Sequence, residues 1–370
     1  LRENRATLIV SALWIAGVMA VIFTGGGSEG RFDAVIDVSE AAVVLRAAVG
    51  LVLLIRWISS GGRNPAFILV VSFLVLVTVG TGLLMLPRST AHDGGAPFHV
   101  ALFTATSASC VTGLIVVDTS SYWSTTGQVI IMCLFQIGGL GIMTCGSLFA
   151  FISSRRLQVR ETAFLADMLD TENSGTLRQL MVSILIFTGL AELIGAVSLW
   201  GLWPDLPWDQ RAFYCAFHSI SAFCNAGFAL MPDSFASMGT RWPIWTMVPL
   251  LIIVGGLGFA VLSDVGRLLR WQVLRHFDPV TAQAPRSRLR LSNTTWLVLI
   301  TTAGLLFWGT CGFYLLEADD LMQKLSPGEQ LSASWFQSVT FRTAGFNTVD
   351  LAELQPETKF FAIMLMFVGA

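Results

Sequence analysis

Three short polar segments recur along this chain, and their residues are suited to holding a cation through backbone oxygens. They read FTATSASCVTGL at 103–114, FHSISAFCNAGF at 217–228 and WFQSVTFRTAGF at 335–346. In each segment an aromatic residue lies ten positions before a glycine, and the glycines are Gly113, Gly227 and Gly345. Because glycine adopts backbone angles that other residues avoid, each turn can direct carbonyl groups toward one axis. A ring of such oxygens can replace the hydration shell of an ion.

The absence of carboxylates from these turns bears on which ion they suit. A small divalent cation normally requires charged oxygen ligands. Neutral carbonyls therefore favour a large monovalent ion, and potassium over magnesium or calcium. A short helix before each turn would add the partial negative charge of its C-terminus. The alternative is that the small residues only allow helices to pack closely; the threefold recurrence favours an ion path.

The elements that must position these turns are helices in a lipid bilayer. The chain has 370 residues, of which 54% are hydrophobic and only 12% charged, whereas soluble domains carry about 25% charged residues. Its mean hydropathy is +0.70. Roughly 20 apolar residues cross the hydrocarbon layer as a helix. The sequence predicts an incomplete span from 358 and complete spans at 7–24, 34–57, 66–86, 127–152, 179–203, 242–266 and 293–316.

Arginines indicate how these spans are oriented. They cluster in the connections at 153–178 and 267–292, which the positive-inside rule places on the cytoplasmic side. The arginine-rich connections share one side only if each glycine segment enters and leaves from the opposite side. The three segments are then re-entrant loops, which a membrane tolerates where protein buries the backbone or water wets it.

The repeating unit is a helix, a half-helix, a polar turn and a second helix. The outgoing helices contain LFQIGGLG at 134–141 and LIIVGGLG at 251–258. These motifs predict close helix packing, with a gating hinge as the alternative, at Gly138, Gly139, Gly255 and Gly256. The predicted organisation is an N-terminal transmembrane hairpin at 1–65, pore repeats at 66–152, 179–266 and 293–370, and cytoplasmic loops at 153–178 and 267–292.

One residue departs from the repeated pattern. Arg342 lies three positions before its glycine, where the other two segments have Cys110 and Cys224. A membrane-buried arginine is costly and is usually paired or functional. We expect Arg342 to hydrogen-bond loop carbonyls behind the turn; the alternative is a positive charge that tunes ion occupancy. Glu192 is a candidate partner for Arg342 or for Arg46.

The motifs together resemble those of the Trk/Ktr/HKT superfamily of potassium transporters. The resemblance covers residues from about 66 to the end and is carried by TSASCVTGL, QIGGLGIMT, FHSISAFCNAGF, VGGLGF and QSVTFRTAGFNTVDL. It implies an all-α integral membrane fold of pseudo-fourfold helix–pore loop–helix repeats, three of them visible and the third incomplete. The filter carbonyls that it implies belong to Val111, Thr112, Gly113, Asn225, Ala226, Gly227, Thr343, Ala344 and Gly345. Cys110, Cys224 and Arg342 would support this filter.

The resemblance also implies a function and partners. We expect a multi-pass subunit of the plasma (inner) membrane that takes up potassium as its substrate, with no cofactor in the chain. It would form a homodimer and bind a cytosolic nucleotide-binding regulatory ring on the loops at 153–178 and 267–292. The fourth repeat is missing, so we expect a C-terminally truncated chain.

Two other functional classes are alternatives to a potassium transporter. A secondary transporter with a midplane substrate site is one alternative, although such proteins often have inverted repeats. A non-conducting fragment or scaffold is another. The sequence shows no set of catalytic residues at membrane depth, so we do not expect an enzyme. It has no large basic tract, so we do not expect nucleic-acid binding. The six cysteines form no CxxC pair, which argues against a zinc site or a disulfide framework.

Overall fold

The computed structural model describes residues 65–92, 94–140, 177–277 and 291–369, and its regular elements there are all helices. The predicted spans at 7–24 and 34–57, together with Arg46, lie outside the described residues. Parts of the predicted loops at 153–178 and 267–292 also lie outside them. The fold class is therefore all-α over the described part of the chain.

Eleven α-helices make up these residues. In chain order they are α1 Pro65–Leu84, α2 Phe98–Ser109, α3 Thr119–Tyr122, α4 Thr125–Gly139, α5 Leu177–Ser198, α6 Trp208–Phe223, α7 Trp242–Gly256, α8 Phe259–Phe277, α9 Asn293–Glu317, α10 Pro327–Thr340 and α11 Pro356–Gly369. Short 3₁₀ turns lie at Pro87–Ser89, Leu199–Gly201 and Ala236–Met238.

The chain divides into two compact units. One consists of residues 1–109 and 122–165, and the other of residues 110–121 and 166–370. In the first unit α1, α2 and α4 pack against one another. In the second, α6 lies between α5 and α7, while α10 packs against α9 and α7. All three glycine turns, at 113, 227 and 345, belong to the second unit.

Local signals in the sequence explain where several helices begin. The Ser326 hydroxyl and the Glu329 side chain form a reciprocal capping box at the start of α10, with Pro327 in its first turn. Ser292 caps α9 by accepting a hydrogen bond of 3.1 Å from the backbone N–H of Thr295. Such caps satisfy N–H groups that the first helical turn would otherwise leave unpaired.

The helices are apolar in the way that a bilayer requires. Val182–Gly201 and Thr295–Glu317 are the two helical segments of the described residues that are long and apolar enough to cross a membrane. Leu297, Phe307 and Leu315 on α9 are 68%, 73% and 80% exposed. Large exposed apolar surfaces of this kind mark contact with a membrane or a partner. The helices that precede the turns, α2, α6 and α10, have only 12, 16 and 14 residues.

A packing arrangement of three residues occurs three times. A glycine on an outer helix faces a small residue on the helix before a turn and a leucine on the helix after it. A Cβ atom at Gly80 would lie 3.3 Å from Cβ of Ala105 and 2.8 Å from the Leu134 side chain. The other two sets are Gly195 with Ser219 and Leu251, and Gly309 with Ser338 and Leu365. Each set brings together the outer helix, the helix before the turn and the helix after the turn of one predicted repeat.

The span predicted at 242–266 is not a single helix, which corrects the prediction. Helix α7 ends at Gly256, and α8 begins at Phe259. Gly258 has φ of +79°, a left-handed conformation that glycine adopts without steric cost. The interruption thus lies within the predicted glycine motif, immediately after Gly255 and Gly256.

Candidate functional site: the three glycine turns

Each of the three turns has the same unusual sequence of backbone angles. Helices α2, α6 and α10 end at Ser109, Phe223 and Thr340. Beyond them, two residues with positive φ flank one residue with negative φ. The pairs are Val111 (58°) and Gly113 (70°), Asn225 (57°) and Gly227 (70°), and Thr343 (71°) and Gly345 (81°).

This alternation determines which way the carbonyl groups point. In a β-strand successive carbonyls point to opposite sides. Positive φ at the first and third residues takes each turn off this path, so its carbonyls need not alternate. Each turn can therefore present a short row of oxygens to a cation without a charged side chain.

The alternation is conformationally costly at its first position. Positive φ is uncommon outside glycine, and it is a genuine outlier for β-branched residues such as Val111 and Thr343. Residues held in such regions cost of order 1–3 kcal/mol each and cluster at functional sites. The same strain at Val111, Asn225 and Thr343 means that the surrounding structure imposes this backbone shape three times.

The three predicted glycines are neighbours in space. A Cβ atom on Gly113 would lie 2.5 Å from the Ala226 carbonyl oxygen and 3.1 Å from Cα of Gly227. One on Gly227 would lie 2.8 Å from the Ala344 oxygen and 2.9 Å from Cα of Gly345. The obstacles are backbone atoms, which cannot rotate away. The middle carbonyls of the second and third turns therefore face the glycine of the neighbouring turn.

Polar side chains of α6 and α10 hold the chain just beyond the glycines. The Ser221 hydroxyl donates to the Phe228 carbonyl at 2.8 Å, and the Thr340 hydroxyl donates to the Phe346 carbonyl at 2.7 Å. One helical turn earlier, Nε2 of Gln337 donates to Oγ1 of Thr348 at 3.3 Å.

His218 is the counterpart of Gln337 on α6. Its Nε2 accepts a hydrogen bond from the backbone N–H of Leu230 at 3.1 Å, and its Nδ1 lies 2.8 Å from the Tyr214 carbonyl. Because Nε2 is an acceptor here, Nδ1 carries the proton and donates to Tyr214. The fully buried ring stacks on Trp203 with centroids 5.0 Å apart. His218 is therefore a neutral structural support.

The second and third turns also bond directly to each other beyond the glycines. The backbone N–H of Phe235 donates to the Asn347 carbonyl at 2.9 Å, and the Asn347 N–H donates to Ser234 Oγ at 3.1 Å. The Phe235 and Phe346 rings have centroids 5.2 Å apart. These contacts couple two turns that are more than a hundred residues apart in sequence.

The stretch between the equivalent hydrogen-bonding hydroxyl and the glycine is one residue shorter in the third segment than in the second. Ser219 and Ser338 occupy the same packing position, and Ser221 and Thr340 make the same hydrogen bond. Yet Ser221 lies six residues before Gly227, whereas Thr340 lies five before Gly345. Helix α10 also ends earlier relative to its glycine, because its cap Phe341 lies four residues before Gly345, whereas Cys224, the cap of α6, lies three before Gly227. Arg342 still has the position of Cys224 within the turn, since each directly precedes the first residue of positive φ.

Arg342 contacts outer helices rather than the turn carbonyls that we expected. Its Nη2 lies 3.5 Å from Thr302 Oγ1 on α9. A Cβ atom on Gly369 of α11 would lie 2.8 Å from Arg342 Cγ. The Arg342 side chain, at the start of the third turn, therefore contacts both α9 and α11. Of the two cysteines predicted to support the filter, Cys224 is buried and Cys110 is exposed.

Two of the predicted hinge glycines, Gly255 and Gly256, lie where α7 passes the second turn. A Cβ atom at Gly255 would overlap the carbonyl oxygen of Phe223, the last residue of α6. One at Gly256 would lie 3.3 Å from the Asn225 side chain. This geometry indicates close packing at these two positions. Gly138 and Gly139 form the end of α4.

Three aspartates beyond the glycines were missed by the sequence analysis. Asp118 and Asp350 lie five residues after their glycines, and Asp233 lies six after its own, so their regular spacing could have revealed them. Each accepts a backbone N–H, from Ser121 at 3.0 Å, Ser237 at 2.9 Å and Ala352 at 2.8 Å respectively. Rings of acidic side chains favour cations at the mouths of cation channels.

The ionisation of Asp118 follows from its surroundings. Partial burial acts to raise the pKa of the Asp118 carboxyl, but hydrogen bonds from Ser120 and Ser121 together outweigh burial and lower that pKa below its ordinary value. Asp118 is therefore a stable negative charge at neutral pH.

Comparison with known proteins identifies the relatives of this chain. The profile of the family described as cation transport protein, TrkH, matches residues 42–370. The chain belongs to the TrkH family of cation transport proteins. The Ktr system potassium uptake protein B of Vibrio alginolyticus is 41% identical over 312 residues, which cover 84% of this chain and 65% of that protein.

Further similarities agree with this membership of the TrkH family. The potassium/sodium uptake protein NtpJ of Enterococcus hirae is 34% identical over 83% of this chain and 64% of its own length. The chain thus spans about two thirds of the length of these curated relatives. The crystal structure of the potassium transporter TrkH from Vibrio parahaemolyticus shares the fold, with a TM-score of 0.59 and 16% identity over 98% of this chain and 68% of that one. Family membership supports a location in a membrane.

Proposed function

We propose that this chain forms the potassium-conducting path of a membrane uptake protein. The observation that carries the proposal is the backbone of the three turns, in which strained residues alternate with glycines that approach one another closely. Relatives that are named potassium uptake proteins support it. The proposed ion ligands are the carbonyls of Val111, Thr112, Gly113, Asn225, Ala226, Gly227, Thr343, Ala344 and Gly345.

The proposed mechanism is passive permeation through these carbonyls. An entering potassium ion exchanges its water for backbone oxygens, whose number and dipole strength compensate for dehydration. Each oxygen is neutral, so binding stays weak enough for the ion to leave. The strained residue and the glycine of each turn hold the oxygens in place before the ion arrives.

The proposal extends to architecture and partners. We infer pseudo-fourfold helix–pore loop–helix repeats in a multi-pass protein of the plasma (inner) membrane, divided along the chain as the sequence predicts. The recurring glycine, small residue and leucine packing supports the repeats. Two relatives are named as proteins of a Ktr system, which supports a partner. We propose a homodimer with a cytosolic nucleotide-binding ring on the loops at 153–178 and 267–292.

Replacing Gly227 by alanine tests the ion path. Gly227→Ala adds a methyl group against Ala344 and Gly345 and also forces alanine into positive φ. We expect potassium uptake by transport-deficient cells to fall to background while the amount of membrane-inserted protein is unchanged. Gly189→Ala on α5 is the matched control, since a Cβ atom at Gly189 meets no other atom within 4 Å.

The same assay distinguishes the ions. Uptake of potassium, rubidium and sodium by the intact protein should rank potassium and rubidium above sodium. Normal potassium uptake by Gly227→Ala would overturn the proposal, as would uptake of an organic solute with no ion flux.

A further inference from the structure

The carbonyl groups just beyond the glycines point away from the neighbouring turns. The Phe228 and Phe346 carbonyls accept hydrogen bonds from Ser221 and Thr340, which belong to the short helices α6 and α10 behind the turns. We call Ser221 and Thr340 the backing hydroxyls. By contrast, the Ala226 and Ala344 carbonyls face the glycine of the neighbouring turn. The direction of the carbonyls therefore changes between the residue before each glycine and the residue after it.

We propose that the backing hydroxyls end the filter at Gly227 and Gly345 and are thereby positioning residues for ion selectivity. This inference rests on the proposed function. A carbonyl that is bonded to its own helix cannot turn toward an ion. The backing hydroxyls thus limit the number of oxygens that each turn offers, and the number of coordinating carbonyl dipoles is one physical basis for choosing potassium over sodium.

The recurrence of this arrangement shows that the backing bonds are not incidental. Ser221 and Thr340 each bond the residue one place after a glycine. His218 and Gln337, three residues earlier on the same helix faces, each bond the residue three places after it. This double attachment is kept although Thr340 lies one residue nearer to its glycine than Ser221 does. Phe228 and Phe346 are themselves fully buried, so the withdrawn carbonyls have a fixed backbone.

Burial makes each backing hydroxyl hard to replace by water. Ser221 is fully buried and Thr340 is 4% exposed. Removing the hydroxyl leaves a buried carbonyl without its partner, which is unfavourable. In the proposal, the carbonyl that loses its hydroxyl turns toward an ion or water in the conduction path. Loss of the hydroxyl therefore releases an additional oxygen toward the path.

The chain contains matched controls two residues before each backing hydroxyl. Ser219 and Ser338 are also fully buried serines of α6 and α10. Their hydroxyls donate to the Glu192 carbonyl at 2.6 Å and to the Leu306 carbonyl at 2.9 Å, on α5 and α9. Substituting these serines removes a hydrogen bond of the same kind from the same helix without touching a turn.

The test measures the ratio of potassium to sodium uptake by the intact protein at equal membrane expression. We expect Ser221→Ala and Thr340→Val to lower this ratio by a factor of about 5 to 30, as the loss of one buried hydrogen bond implies. Ser219→Ala and Ser338→Ala should keep the ratio. Thr340→Ser keeps the hydroxyl and should retain the wild-type ratio. That result would show that the position tolerates a change of side chain as long as the hydroxyl remains.

Two results would overturn the inference while leaving the proposed function intact. One is an unchanged ratio in both backing variants of a protein whose wild type selects potassium. The other is an equal fall in Ser219→Ala and Ser338→Ala, which would assign the effect to helix packing. A wild-type protein that takes up no potassium would instead contradict the proposed function itself.

Discussion

The backbone angles of three ordinary residues matter as much as the glycines that follow them. Val111, Asn225 and Thr343 all adopt positive φ two positions before a glycine. The glycines in the sequence indicate where the second positive φ of each turn lies. They do not indicate the first, because valine and threonine normally favour extended backbone. Contacts with the rest of the protein must impose this conformation.

Replacing Val111 by glycine should relieve this strain. We expect Val111→Gly to raise the melting temperature of the detergent-solubilised protein, because a strained backbone of order 1–3 kcal/mol becomes permissible. Val129→Gly, in the interior of α4, is the control and should lower the melting temperature, since glycine destabilises helix interiors by about 0.5–1 kcal/mol. Equal decreases in both variants would show that Val111 is not strained.

We expect the three aspartates beyond the glycines to attract cations through long-range electrostatics. Asp118→Asn removes a charge that would concentrate cations near the turns. We expect the potassium concentration for half-maximal uptake to rise about twofold at low ionic strength, the effect of a charge about 8 Å away in water. The rise should disappear in high choline chloride because salt screens exposed charges.

Two further measurements separate this charge effect from other causes. Asp205→Asn, an exposed aspartate before α6, should leave half-saturation unchanged. Because the folded pKa of Asp118 is lowered, its hydrogen bonds stabilise the protein above the unfolded pKa, and this stabilisation is lost only as the pH falls through the folded pKa. An external pH of 5 should therefore not reproduce Asp118→Asn, and reproduction would contradict the assignment.

Small residues let the helices of each repeat approach one another closely. Gly80, Gly195 and Gly309 allow an outer helix to approach the short helix of its repeat. Lipid tails are as apolar as leucine, so helices in a bilayer associate through such close packing and through hydrogen bonds. Gly255 allows the same approach between α7 and the end of α6.

Alanine at Gly195 should loosen this packing. A Cβ atom there would overlap Ser219 Oγ and lie 2.6 Å from a Leu251 methyl carbon. Overpacking of this kind typically costs about 1–3 kcal/mol, so Gly195→Ala should melt at a lower temperature than wild type. Gly189→Ala, six residues earlier on the same helix, should melt no lower than wild type, because a Cβ atom there meets no other atom within 4 Å and alanine favours a helix interior over glycine.

A second substitution tests whether the overlap with Ser219 is the cause. Adding Ser219→Ala to Gly195→Ala removes the hydroxyl that the new methyl group would overlap and leaves one alanine facing another. The double variant should recover part of the lost stability. A further loss in the double variant would mean that the helices do not meet as described.

The three turns lie in one compact unit, so the proposed binding of potassium by them predicts that the ion stabilises the folded protein. Residues 110–121 belong with 166–370 rather than with the helices on either side of them. An ion held by all three turns would bind only the folded protein. Such a ligand stabilises by about 2.7 kcal/mol at one hundred times its dissociation constant.

Potassium should therefore raise the melting temperature of the intact protein. We expect a rise of several degrees in potassium chloride relative to choline chloride at equal ionic strength. Gly227→Ala should show no difference between the two salts. An equal rise in choline chloride would indicate a general salt effect rather than an ion bound at the turns.

Local patterns in the sequence predicted much of this protein correctly. The apolar runs predict α1, α5 and α9 to within a few residues, because the length of an apolar run can be counted from consecutive residues alone. The aromatic and glycine spacing located all three turns, and the combined motifs indicated the family that the comparisons confirm. The single helix predicted over 242–266 was wrong because the pattern is apolar on both sides of Gly258 and does not show its positive φ.

Other features depend on contacts between segments that are distant in sequence. These are the positive φ at Val111, Asn225 and Thr343, the different distances from Ser221 and Thr340 to their glycines, the partner of Arg342 and the meeting of the three glycines. Hydrogen bonds such as those from Ser221 and Thr340 align the segments by position in space, whereas a sequence comparison aligns them by counting residues. Only tertiary packing could decide these features, because each depends on contacts that local sequence patterns do not show; the glycines that meet are more than a hundred residues apart.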